Sequence, residues 1–218
     1  MKIDIPTTLS VKLIKLRNLF YGKKILCIIG CGRSGTNFSN QYFENLGLKI
    51  GHEKLKKNGI SSWCLVPNTT ERLWGPSWQD IKHFDKSVFH QVRHPLKVIS
   101  SLQTITTKSW DFISKFIPIK KQDCLILKAM KYWYYWNLLA EKKAIYTYKV
   151  EDIDKELDKI FQVASFKMPE DKNDILKKIS RKVNTRKHSS LTWKDLEKED
   201  KELTRKIKSL AKRYGYKV

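Results

Sequence analysis

Short apolar runs alternate along this chain with longer stretches in which apolar positions recur at helical spacing. Ile25-Leu26-Cys27-Ile28-Ile29 is unbroken and bounded by Lys23-Lys24 and by glycines, the pattern of a central parallel strand buried on both faces. Beyond it, Phe38, Tyr42, Phe43 and Leu46 share one helical stripe that Gly47 can terminate. Leu48 to Glu53 predicts a second strand. Val88 to Val92 predicts another, followed at once by Arg93-His94-Pro95 and the helix-spaced Val98, Ile99, Leu102 and Ile105. A longer helix over 122–142 carries Trp133-Tyr134-Tyr135-Trp136, and a strand over 144–150 precedes a helix over 152–164. This alternation predicts a three-layer α/β/α fold with a mostly parallel central sheet, whose ligands lie at the C-terminal ends of the strands.

The flanks differ from this 25–164 core. Residues 1–24 predict an amphipathic lead-in, since Val11 to Phe20 alternates Leu or Ile with Lys and Arg and lacks the apolar segment of a secretory signal. Residues 169–190 are polar, basic and weakly periodic, as in a loop or lid. Residues 191–216 predict one C-terminal helix that Thr192-Trp193-Lys194-Asp195 caps and Gly215 ends. The 218 residues suit a single domain.

Charge changes the picture more than size does. With 44 Lys and Arg against 22 Asp and Glu, the net charge of +22 creates a positive field that draws anions without naming one. The surplus is uneven: 171–218 holds 16 basic and 7 acidic residues, whereas 25–53 holds two of each. The glycine-rich stretch Gly30-Cys31-Gly32-Arg33-Ser34-Gly35-Thr36 is therefore no part of a basic smear. No apolar run has bilayer length, which predicts a soluble protein. Cys27, Cys31, Cys64 and Cys124 show neither a CxxC pair nor zinc spacing, which suggests a reducing, cytoplasmic setting and no metal site.

A glycine-rich turn between a buried strand and a helix aims backbone N–H groups and the positive end of the helix dipole at one point, which suits a phosphate or sulfate. Arg33 adds a full charge, and Ser34, Thr36 and Asn37 can donate to the same oxyanion. Three chemistries share this text. Gly30-x-Gly32-x-x-Gly35, with Glu53 at a strand end, matches a dinucleotide fingerprint, but the chain has no room for a substrate domain. Cys27-x-x-Gly30-x-x-Arg33-Ser34 matches the tyrosine-phosphatase signature, with Cys27 as nucleophile and Arg33 holding phosphate. That chemistry needs an exposed thiolate, whereas Cys27 lies inside an apolar strand.

Third, Gly-x-Gly-Arg-Ser-Gly-Thr followed by Asn37-Phe38 resembles the 5′-phosphosulfate loop of sulfotransferases that use 3′-phosphoadenosine 5′-phosphosulfate (PAPS) as donor. Val92-Arg93-His94-Pro95-Leu96-Lys97-Val98-Ile99-Ser100-Ser101, at another strand-to-helix junction, resembles that family's 3′-phosphate element. Gly51-His52-Glu53, Gly59 to Trp63, Tyr148 to Asp152 and Asn184-Thr185-Arg186 are more faintly similar to small bacterial and viral-type sulfotransferase-like sequences. The resemblance implies a P-loop-like sulfotransferase architecture needing no metal. It implies a donor cradle of Gly32, Arg33, Ser34, Gly35, Thr36, Asn37, Arg93 and Ser101, with Arg186, or Lys187 second, closing over the 3′-phosphate. It also implies Arg33 as the group that stabilises transferred charge, and Glu53 or His52 as base. Strand alternation turns those two side chains to opposite faces, so that one of them reaches the site; Glu53 is preferred, with His52 second. His83, His90 and His94 are less suited, and Trp133 to Trp136 fit core packing better than substrate stacking. The acceptor is unidentified; the basic charge favours an acidic molecule or a polysaccharide over nucleic acid as partner. A phosphatase-like hydrolase and a non-catalytic nucleotide- or nucleic-acid-binding module remain the alternatives.

Overall fold

A computed structural model of the chain describes residues 24–179 and 189–218. The predicted lead-in, Arg186 and Lys187 lie outside the described residues. Five strands form one parallel sheet: β1 (Ile25–Ile29), β2 (Ile50–His52), β3 (Gly59–Ser61), β4 (Lys86–Val92) and β5 (Tyr146–Lys149), in the order β2-β3-β1-β4-β5. Alternation along β1 divides two cores. Ile25, Cys27 and Ile29 face one side and Leu26 and Ile28 the other, all fully buried.

Helix α1 (Thr36–Asn45) lays Tyr42 and Phe43 on the Leu26 side. Helix α2 (Trp78–Ile81) is a single capped turn before β4, and α3 (Pro95–Leu102), α4 (Thr107–Ile113) and α5 (Leu125–Glu141) cover the Cys27 side with Val98, Ile99, Ile113, Trp133 and Trp136. Helix α6 (Ile153–Val163), entered through a 3-10 turn at Val150–Asp152, joins α1 through Leu157, Ile160 and Phe161. The three-layer α/β/α arrangement is thus the predicted one, and the Trp133 and Trp136 rings are core.

Three readings change. Strand β3 escaped the periodicity because three residues, one a glycine, cannot show alternation; it stands between β1 and β2, so β2 is the sheet edge and does not pair with β1. The predicted 169–190 loop contains a helix, α7 (Lys172–Lys178). The predicted C-terminal helix is two: α8 (Trp193–Glu199), with the expected Thr192–Asp195 capping box, and α9 (Lys201–Arg213). Asp200 separates them in extended backbone (φ −158°) and accepts from the Leu203 N–H at 2.8 Å, so an acidic side chain that looks like helix surface is an N-cap.

Gly59 opens β3 at φ +149°, and a Cβ there would stand 1.8 Å from the Leu26 carbonyl oxygen. Gly59→Ala therefore combines strain with a backbone clash and is expected to cost about 2 kcal/mol or more in urea unfolding.

Candidate functional site

The C-terminal ends of β1 to β4 point to one side of the sheet. The chain leaves β1 for β2 and β3 on one flank and returns to β4 and β5 on the other, so the loop after β1 sits where strand order reverses, the place where open parallel sheets bind ligands. A cavity of about 570 Å³ lies there, lined by residues that follow each of those four strands.

The glycine loop forms one wall. Gly35 at φ +96° is the N-cap of α1 and provides no side-chain cap, leaving the first N–H groups of the helix without intrahelical partners. The Gly32 N–H donates to Tyr132 Oη at 2.9 Å, which ties the loop to α5. Arg33, also left-handed at φ 69°, donates from Nε to Ser101 Oγ at 2.7 Å, and Arg93 donates from Nη1 to the Arg33 carbonyl at 3.3 Å. The two elements read from the sequence, 60 residues apart, are in direct contact.

Beneath the loop, buried Gln91 of β4 donates to the Ser34 carbonyl at 2.9 Å. Its carbonyl oxygen accepts from the hydroxyls of Ser39 and, at 2.8 Å, Tyr148. Gln91 had no sequence signal beyond being a polar residue inside an apolar strand. Trp63, at the end of the faintly similar segment Gly59 to Trp63, lines the cavity, as do Tyr132, Trp74, Thr106 and Ser109, which the sequence did not single out.

Glu53 and His52 form the opposite wall. The expected alternation fails, because Glu53 adopts φ 56°; the chain turns out of the extended conformation directly after β2 and brings both side chains into the cavity. His52 Nε2 stands 3.2 Å from Thr36 Oγ1 and 3.6 Å from Glu53 Oε1. The His52 side chain is 34% exposed and that of Glu53 11%. Burial holds the His52 imidazole below its ordinary value, so it is neutral at pH 7. Burial also pushes the Glu53 carboxyl up to about 7, against the lowering effect of the Ser62 hydroxyl that hydrogen-bonds it. Its Oε1 is buried with no hydrogen-bond partner among the described residues.

Gly32, Arg33, Gly35, Thr36, Asn37, Arg93, Ser101, His52 and Glu53 all line the cavity. Ser34 does not. It is fully buried under the loop with its hydroxyl unpartnered, so its side chain gives the expected oxyanion nothing in this conformation. Cys27 is fully buried in the core and pushed up to about 12 by burial, which removes the thiolate that phosphatase chemistry requires. His90 is a satisfied core residue between Thr147 Oγ1 (3.1 Å) and Asn137 Oδ1 (3.0 Å), His94 packs on Trp193 and Tyr216, and His83 is exposed.

No family model and no curated protein sequence matches this chain. Among solved structures it is similar to mouse sulfotransferase SULT7A1 complexed with PAP, at 15% identity and a TM-score of 0.47, over 87% of this chain and 89% of that one.

Because the folded state holds the Glu53 proton more tightly than the unfolded chain does, stability falls as pH rises from about 4.5 through about 7. Glu53→Gln is expected to flatten that part of a pH series of urea unfolding curves, by a few kcal/mol at most.

Proposed function

We propose that the protein is a sulfotransferase that moves a sulfuryl group from PAPS to a hydroxyl or amine. The observation that carries this reading is the meeting of three groups on one cavity: the Gly32–Asn37 loop, the Arg93–Ser101 element, and the His52–Glu53 pair. A single phosphate would need only the loop. Arg93, with a planar fork suited to phosphate, and Ser101 give the cavity capacity for a second one, as the 3′-phosphate of PAPS requires.

PAPS supplies an activated sulfuryl group. The acceptor oxygen forms a bond to sulfur as the bond between sulfur and the phosphate oxygen breaks, and the acceptor proton leaves to a base. The half-exposed, neutral His52 takes that proton, a reversal of the preference for Glu53. The Glu53 carboxyl, 3.6 Å from His52 Nε2, stabilises the imidazolium when ionised. Arg33 and the N–H groups at the start of α1 offset charge gathering on the transferred group and the departing phosphate. The uncharged Thr36 hydroxyl, 3.2 Å from His52 Nε2, holds the ring beside the loop.

3′-Phosphoadenosine 5′-phosphate is expected to raise the melting temperature well above the effect of AMP. Arg93→Ala is expected to remove that difference, weakening the bisphosphate roughly 10- to 100-fold as befits hydrogen bonds to a charged group. Equal responses to both nucleotides in the unaltered protein would sink the sulfotransferase reading. His52→Ala is expected to lower the transfer rate about 10²-fold or more with bisphosphate affinity unchanged, measured as label moved from donor to acceptor.

A further inference from the structure

Two consecutive side chains of α5 hold both halves of the site. Tyr132 Oη accepts from the Gly32 N–H at 2.9 Å, and Trp133 Nε1 donates to the Arg93 carbonyl at 3.2 Å. The phenol is itself fixed. It is buried, its hydroxyl also bonds the buried Cys31 thiol, and the indoles of Trp63, Trp110 and Trp136 meet its ring edge-on with centroids 6.1, 6.1 and 4.9 Å away.

This contact accounts for the glycine at position 32. Its φ is not positive, so backbone conformation does not demand glycine there. A Cβ would stand 3.0 Å from Tyr132 Oη and 3.6 Å from both the Tyr132 ring and Trp63, so a side chain would press against the phenol. The Gly32 N–H is spent on Tyr132 and not aimed at an oxyanion; the N–H groups at the start of α1 are left for that task. Gly32 therefore serves the loop as its point of attachment.

Resting on the proposed binding of the donor, we infer that Tyr132 is a positioning residue for its 5′ end. Through Gly32 it sets where Arg33 and the start of α1 stand relative to Arg93, which Trp133 holds from the next position of the same helix. The distance between the two anion subsites is then a property of α5, and a small displacement of the loop costs the 5′ end without touching the 3′ end.

The test uses the full chain and calorimetry with three nucleotides: 3′-phosphoadenosine 5′-phosphate, adenosine 3′-phosphate, which lacks the 5′ group, and AMP, which lacks the 3′ group. Tyr132→Phe removes one oxygen and keeps the ring. It is expected to cut the advantage of the bisphosphate over adenosine 3′-phosphate roughly tenfold, as befits one hydrogen bond, and to leave its advantage over AMP unchanged. Gly32→Ala, which presses on the same contact from the loop side, is expected to show the same selective loss. A general loosening of the fold weakens all three nucleotides alike, so equal losses, or none, would overturn the inference. A second measurement needs no ligand. Gly32→Ala is expected to lower the urea midpoint with Tyr132 present and to lower it less in the Tyr132→Phe background, where the atom nearest the new Cβ is 3.6 Å away. Strict additivity of the two substitutions would remove the contact on which the inference stands. If the unaltered protein does not distinguish the bisphosphate from AMP, the sulfotransferase reading falls and takes the donor role of Tyr132 with it, while non-additivity in urea would still show Tyr132 acting on the loop.

Discussion

One buried amide holds the site together. Gln91 is fully buried in β4, and its side chain binds the Ser34 carbonyl of the glycine loop, the Ser39 hydroxyl of α1 and the Tyr148 hydroxyl of β5. Each bond contributes only about 0.5–1.5 kcal/mol net, but losing the amide would remove the partner of the Ser34 carbonyl and of the buried Tyr148 hydroxyl, at about 1–3 kcal/mol for each group left unsatisfied, while Ser39 keeps the Gly35 carbonyl. The loop therefore cannot drift from β4 at low cost. Arg93, two residues along the same chain, is in register with Arg33 through that connection, and Trp133 Nε1 fixes the Arg93 carbonyl from α5 at 3.2 Å. A site made from two loops thus behaves as one rigid object.

Strain accompanies this rigidity. Of the three non-glycine residues with positive φ among those described, Arg33 and Glu53 line the cavity. Each left-handed L-residue costs about 1–2 kcal/mol, and such costs persist only where the surroundings over-determine the backbone. At Arg33 the strain turns a guanidinium toward Ser101; at Glu53 it puts a second titratable side chain on the same face as His52. Burial then shifts the two in opposite directions, holding the His52 imidazole below its ordinary value and pushing the Glu53 carboxyl up to about 7.

The basic charge of the chain works at a different range. Many lysines lie on exposed helix faces and pair locally, as Lys206 does with Glu202 and Lys208 with Glu197. Such pairs contribute little stability. Their summed field can attract an anion over distances of the order of the ~8 Å Debye length, whereas the cavity itself has two arginines and otherwise mostly apolar and neutral polar walls.

By itself the sequence determined the layers, the central strand, the glycine loop and the pairing of that loop with Arg93 and Ser101. Apolar periodicity and a local turn signal are properties of adjacent residues, and a strand-to-helix junction carries its anion preference wherever it is placed. Tertiary structure alone decided that β3 separates β1 from β2, that Asp200 caps a second helix, that Ser34 turns inward and that both His52 and Glu53 face the cavity. It also supplied Gln91, Tyr132 and Trp74. The physical reason is the same in each case: a three-residue strand, a single left-handed φ or one buried polar contact leaves no period in the text. For β3, Gln91 and Tyr132 the partners lie tens of residues away, and only the closed sheet brings them within reach, whereas the Asp200 cap is local and is hidden because its acidic side chain reads as helix surface.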